Sequence, residues 1–111
     1  MVINQLLLSL LHSLSDLDFV EKVDIHTEVF IIKGRVILKK NRFLQLYFNE
    51  MTGTTGFALI EKDKRIWGID YDNIRGWHLH PIENPDVPND IDFMNVEDII
   101  KALSEAWALL P

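Results

Sequence analysis

The chain has 111 residues, no cysteine and a formal net charge of −6. That length fits one domain built around one core, and the missing cysteine excludes disulfides and thiolate metal sites and suits a reducing compartment. The net negative charge excludes a molecule that binds nucleic acid through its overall field, while a hydrophobic fraction of 48% is too high for a disordered chain. The charge is uneven: residues 1–32 carry −4, residues 33–75 carry +4 and residues 76–111 carry −6. The middle of the chain therefore offers either a local basic face between acidic ends or an ordinary solvated sheet surface.

Val2, Ile3, Leu6, Leu7, Leu10, Leu11 and Leu14 recur at spacings of three and four, which predicts an opening helix that stops near residues 13–16. No Lys or Arg precedes this apolar run, and Asn4, Gln5, Ser9 and His12 interrupt it. It also falls short of the roughly 20 apolar residues that span a bilayer. It reads as the first helix of a cytoplasmic fold and not as a signal peptide. Leu8 widens the stripe beyond one core face, giving either a thick buried stripe or a surface for a partner or a second copy.

Residues 19–38 turn β-branched and aromatic, and read as one long strand that a bulge or a bend at Gly34 lets curve. Lys40 and Asn41 suit a tight turn, because Asn tolerates the left-handed conformation. Residues 42–49 alternate, with Leu44, Leu46 and Phe48 on one side and Phe43, Gln45 and Tyr47 on the other. Residues 51–56 form a loop, residues 57–61 a strand, residues 62–64 a turn, residues 65–70 a strand and residues 77–80 a short one. Connections this short force antiparallel pairing, a meander. Residues 81–92, with prolines and acids, read as a stiff loop that is neither strand nor helix. Asn95 then caps a last helix whose stripe is Val96, Ile99, Ile100, Leu103, Ala106, Trp107 and Leu110. The expectation is an α+β domain over residues 1–111: an antiparallel meander of about five strands with a helix from each end packed on it.

The densest chemistry lies in residues 65–81, RIWGIDYDNIRGWHLHP. His78 and His80 are two apart, so on a strand both rings leave by one face. Asp72 and Asn73 read as turn residues. Cleaving RNA needs one group to take the 2′-hydroxyl proton, another to protonate the leaving oxygen and a cation on the phosphate. Histidine, with an unperturbed pKa near 6.5, does either proton job around neutrality. In this inventory His78 and His80 carry protons, Asp72 or Asp70 orients one imidazole, and Arg75 holds the phosphate. Asn73, Tyr71 and Trp77 are the further substrate contacts, and no metal or other cofactor is called for.

The same stretch resembles the TumE-type toxins of prokaryotic toxin–antitoxin pairs. Those proteins carry an Asp-Asn element at a strand end and then a histidine-rich element, the places taken here by Asp72-Asn73 and by His78-Leu79-His80-Pro81. The resemblance covers residues 35–103 in layout and is motif-specific over residues 66–81. A further histidine common in the family before the last helix has no counterpart in residues 84–92. The resemblance implies toxicity to the host cell, neutralised by a helix-turn-helix antitoxin protein.

Two other readings compete with RNA cleavage. One is a non-catalytic module that docks a partner or dimerises through Leu7, Leu8 and Leu11. The other is a metal-dependent hydrolase, with His78, His80 and Asp70 or Asp72 as ligands. A purely structural account also exists, in which Asp70 and Asp72 bond turn amides and Arg75 makes an ordinary ion pair.

Overall fold

The computed structural model describes residues 3–111. Val2, which the periodicity adds to the first helix, lies outside them. Helix α1 (Ile3–Ser15) buries Ile3, Leu6, Leu10 and Leu14 on one side. It ends where the Ser15 hydroxyl donates to the carbonyl of His12 at 2.6 Å, a side-chain bond that competes with further helix. Strands β1 (Val20–Thr27), β2 (Ile31–Leu38), β3 (Arg42–Asn49), β4 (Thr55–Glu61), β5 (Lys64–Asp72), β6 (Gly76–His80) and β7 (Asn89–Asp90) follow, and helix α2 (Val96–Leu109) closes the fold. The strands lie in sequence order in one antiparallel sheet.

The α+β meander with two packed helices is as expected, but the sheet has seven strands and not about five. The expected long bent strand over residues 19–38 is two strands joined by a hairpin, closed where the Glu28 amide donates to the Ile31 carbonyl at 2.8 Å. Gly34 does not bend a single strand; it pairs with Ile25 of β1. A Cβ there would lie 2.2 Å from the Asp24 carbonyl oxygen, so only glycine lets the two backbones approach this closely. The second correction is β7, a two-residue strand in the stretch expected to be loop, which pairs with His78 and Leu79. Lys40 and Asn41 do form the expected tight turn, with φ of 63° and 58°.

Both helices cover one face of the sheet, α1 touching β2 and α2 touching β5, and they pack on each other. Leu46, Phe57, Ile69 and Leu79 sit side by side across β3 to β6, and the first three are buried in the core. Side chains alternate along a strand, so the neighbouring rows emerge on the opposite, helix-free face. One such row runs His26, Lys33, Tyr47, Gly56, Asp70, His78 and Asp90; another runs Asp24, Arg35, Gln45, Ala58, Gly68 and His80.

Strand β5 contains a bulge: Trp67 pairs with Leu59 and Arg65 with Ile60, so Ile66 is left over. Regular alternation would send Arg65 to the helix face beside Trp67. The extra residue turns it to the open face instead.

At the other end of the chain, Asn95 caps α2, its side chain accepting from the Asp98 amide at 2.8 Å. Trp107 stacks on Phe19 with ring centroids 4.2 Å apart. The buried Arg42 guanidinium lies 4.9 Å from the Trp107 ring centroid, donates to Glu61 at 2.6 Å and to the Pro111 carbonyl at 3.0 Å. These contacts pin α2 to the sheet. No helix among the described residues is long and apolar enough to cross a membrane.

Candidate functional site

The open face concentrates its chemistry where β5 meets β6. Asp70 and His78 are directly paired across the two strands, and His80 pairs with Gly68 one row along. The result is a tight cluster: His78 Nε2 lies 3.6 Å and His80 Nε2 3.3 Å from the same Asp70 oxygen, Oδ2. The rings meet edge to face with centroids 5.3 Å apart. The side chain of His78 is 8% exposed, that of His80 16% and that of Asp70 22%, so solvent reaches the cluster from the His80–Asp70 side.

Arg65 fixes the aspartate. Its Nη1 donates to Asp70 Oδ2 at 2.8 Å and its Nη2 to Oδ1 at 2.7 Å, a bidentate pair. Nη2 also meets the Phe57 carbonyl at 3.3 Å, while Nε is buried with no hydrogen-bond partner among the described residues. The guanidinium lies against the backbone of Gly68, where a Cβ would fall 2.0 Å from Nη2 and 2.5 Å from Cζ. The bulge at Ile66 aims the arginine, and the missing side chain at position 68 makes room for it.

The outer nitrogens of both rings are also committed. His78 Nδ1 is 3.0 Å from the Gly76 carbonyl oxygen, and His80 Nδ1 is 2.8 Å from that of Pro85. A carbonyl oxygen only accepts, so Nδ1 carries the hydrogen in both rings. Both Nε2 atoms are therefore left to face Asp70. The loop residue Pro85, next to the site only through the fold, helps to orient His80. One atom each from Asp70, His78 and His80 lies within 4.8 Å of the others, a spacing that fits a shared cation.

The other residues expected in the site lie elsewhere. Asp72 turns away to cap the β5–β6 turn, accepting from the Arg75 amide at 2.7 Å and the Ile74 amide at 2.9 Å. The Arg75 N–H lowers the pKa of this carboxyl from its ordinary value; desolvation, the next largest effect, opposes it, and the Ile74 N–H adds to the lowering. Asn73 is exposed and accepts from the Tyr71 hydroxyl at 3.2 Å. Arg75, expected to hold the phosphate, reaches across to β7 instead, donating to the Pro88 carbonyl at 3.2 Å and approaching Asp90 at 3.5 Å. Tyr71 and Trp77 occupy odd positions of β5 and β6, so they emerge on the helix-bearing face. There they line an apolar pocket with Phe93, Phe48 and Val96, on the far side of the sheet from His78 and His80.

The guanidinium in the site thus belongs to Arg65, which the residue pattern does not single out. Two aromatics of β3 share the open face: Phe43, with the Arg35 guanidinium 4.6 Å from its ring centroid, and Tyr47, half-exposed beside Lys33, Arg35, Gln45 and Asp24 around a shallow groove of about 490 Å³. Between Tyr47 and Asp70 the floor is Gly56 and Ala58, which keep it low. No protein-family model, curated protein or solved structure matches the chain.

Proposed function

We propose that the chain is a small RNA-cleaving enzyme of the toxin type, with Asp70, His78 and His80 as its catalytic group. One observation carries this reading: two imidazole Nε2 atoms converge on one carboxylate oxygen on the helix-free face of the sheet, with His78 buried and His80 and Asp70 partly exposed. RNA cleavage begins when the 2′-hydroxyl loses its proton and attacks the neighbouring phosphorus. It ends when the 5′ oxygen leaves with a proton. One Nε2 takes that first proton, and the other ring, protonated at Nε2 and turned to Asp70, gives one to the departing 5′ oxygen. The proton gained by one histidine balances the proton lost by the other. Arg65 holds the carboxylate still during the transfer, and the role expected of Arg75 falls to cations on the same face.

The face around the cluster supports a single-stranded substrate. Tyr47 lies two strands from Asp70, about 10 Å at the usual strand spacing. It takes the stacking role expected of Tyr71 and Trp77, and the cations beside it are Arg35, which lies over the Phe43 ring, and Lys33, which a phosphate would draw from its 3.1 Å pair with Glu28. The resemblance to TumE-type toxins adds an antitoxin partner, for which α1 offers Leu8, 72% exposed, and the exposed Leu11.

The test uses the purified chain and a labelled single-stranded RNA. Wild type is expected to cleave it, and His80→Ala to lose activity by at least about 100-fold, the usual worth of a general acid or base. RNA left intact by the wild-type protein, in buffer with divalent cations and in buffer with chelator, removes this reading. The exposed leucines of α1 also favour a second reading, a non-catalytic module that dimerises through this helix. Light scattering on wild type and Leu8→Glu decides it, since a monomer in both eliminates the dimer.

A further inference from the structure

We infer that Asp70, His78 and His80 form a binding site for a divalent transition-metal ion, with zinc the ion their donor atoms suit. The donor set is two imidazole nitrogens and one carboxylate oxygen, a combination used by zinc and other first-row ions. Bonds of about 2.1 Å at tetrahedral angles place neighbouring donors about 3.4 Å apart, and octahedral angles place them about 3.0 Å apart. The two nitrogen–oxygen separations here are 3.6 Å and 3.3 Å, on the tetrahedral side.

The outer contacts agree. A ligating histidine nearly always donates its other ring N–H to a carbonyl or carboxylate, which fixes the ring and its tautomer. Both histidines do so here, through the carbonyls of Gly76 and Pro85. That arrangement turns both Nε2 atoms toward the same oxygen of Asp70, so one ion can meet all three donors together.

Arg65 shapes the expected affinity. It donates to both oxygens of Asp70, and only Oδ2 also faces the two rings, so the carboxylate would bind through that one oxygen. Its positive charge also makes the site weaker than a four-ligand structural zinc centre. Three protein donors leave a position for water or a substrate oxygen, and the partly exposed His80 and Asp70 are the side from which it would enter.

This inference deepens the proposed reaction and rests on the same three side chains, but it is tested without RNA. The full chain, free of any tag and stripped with chelator, is titrated with Zn²⁺ by calorimetry and with Co²⁺ by visible absorption. Wild type is expected to take up one equivalent of zinc and to give the intense visible bands of tetrahedral cobalt. His78→Ala and His80→Ala are each expected to weaken binding by at least about 100-fold, beyond the 10- to 100-fold loss typical of outer-shell changes. The near-isosteric Asp70→Asn is expected to weaken it by about tenfold or more, and His26→Ala, which removes an exposed histidine elsewhere on the sheet, is expected to leave it unchanged. Circular dichroism confirms that each variant is folded. Wild-type protein that takes up no metal overturns the inference, as does binding that survives in folded Asp70→Asn and both histidine variants. Wild-type protein that takes up no metal yet cleaves RNA in chelator overturns the inference and leaves the proposed reaction standing. One equivalent of bound zinc with RNA left intact does the reverse.

Discussion

Replacing Gly68 with alanine separates the arrangement of the site from the integrity of the fold. The new Cβ would lie 2.0 Å from Arg65 Nη2 and 2.4 Å from Nε. These atoms are the far end of a flexible side chain, so the strand can stay in place while the guanidinium is expelled from Asp70. Losing hydrogen bonds to a charged partner costs about 1.5–3 kcal/mol. Alanine in a strand recovers about 0.5–1 kcal/mol relative to glycine. The net loss is then about 1–2 kcal/mol, or a fall in Tm of roughly 4–8 °C for a chain of this size. Urea denaturation of Gly68→Ala, Arg65→Ala and the double variant closes a mutant cycle. With Arg65 already gone, Gly68→Ala is expected to be neutral or to stabilise by up to about 1 kcal/mol, so the two sites couple by about 2 kcal/mol. A coupling below about 0.5 kcal/mol would refute the claim that Gly68 exists to seat the arginine.

Three further outcomes can be checked by the same denaturation assay. Gly34→Ala is expected to lose about 2–4 kcal/mol, because its Cβ meets the rigid backbone of Asp24; hydrogen exchange at Ile25 shows whether β1 is what opens. Arg42→Ala removes the bond to Glu61 and the cation above Trp107, and is expected to cost about 2–3 kcal/mol. Asn95→Ala takes away the cap of α2 and is expected to cost about 1 kcal/mol; an unchanged urea midpoint would mean that the cap contributes nothing.

What the residue pattern reveals follows from how local each signal is. The leucine spacing of α1, the Asn95 cap and the Lys40–Asn41 turn are written in neighbouring residues, and each appears where expected. The hairpin after Thr27 does not announce itself, because its tip carries Val29 and Phe30 in place of Gly, Asn or Pro. Val29 is 81% exposed there, an apolar residue where turn chemistry leads one to look for a polar one. Strand β7 owes its pairing to β6 and not to its own composition.

The site divides in the same way. His78 and His80 share a face because they are two apart, and Asp70 faces them through the register of β5 on β6. Parity also assigns Tyr71 and Trp77 to the opposite face, so their exclusion was open to sequence reasoning once the strands were placed. Arg65 was not so accessible. Its parity puts it with Trp67, and only a bulge that depends on pairing with β4 reverses that. The Pro85 carbonyl that orients His80 comes from a loop whose path no local pattern reveals.

The strand order β1 to β7 bears on how the chain is made. Each strand emerging from the ribosome finds its partner in the one synthesised just before it, so the sheet can zip up while translation continues. Its oily side has no such luck: the roof over β5 is Val96–Leu109, which arrives after every strand is finished. A stalled ribosome would therefore leave a nearly complete sheet with half its underside uncovered, the kind of intermediate that chaperones recognise and neighbouring chains stick to.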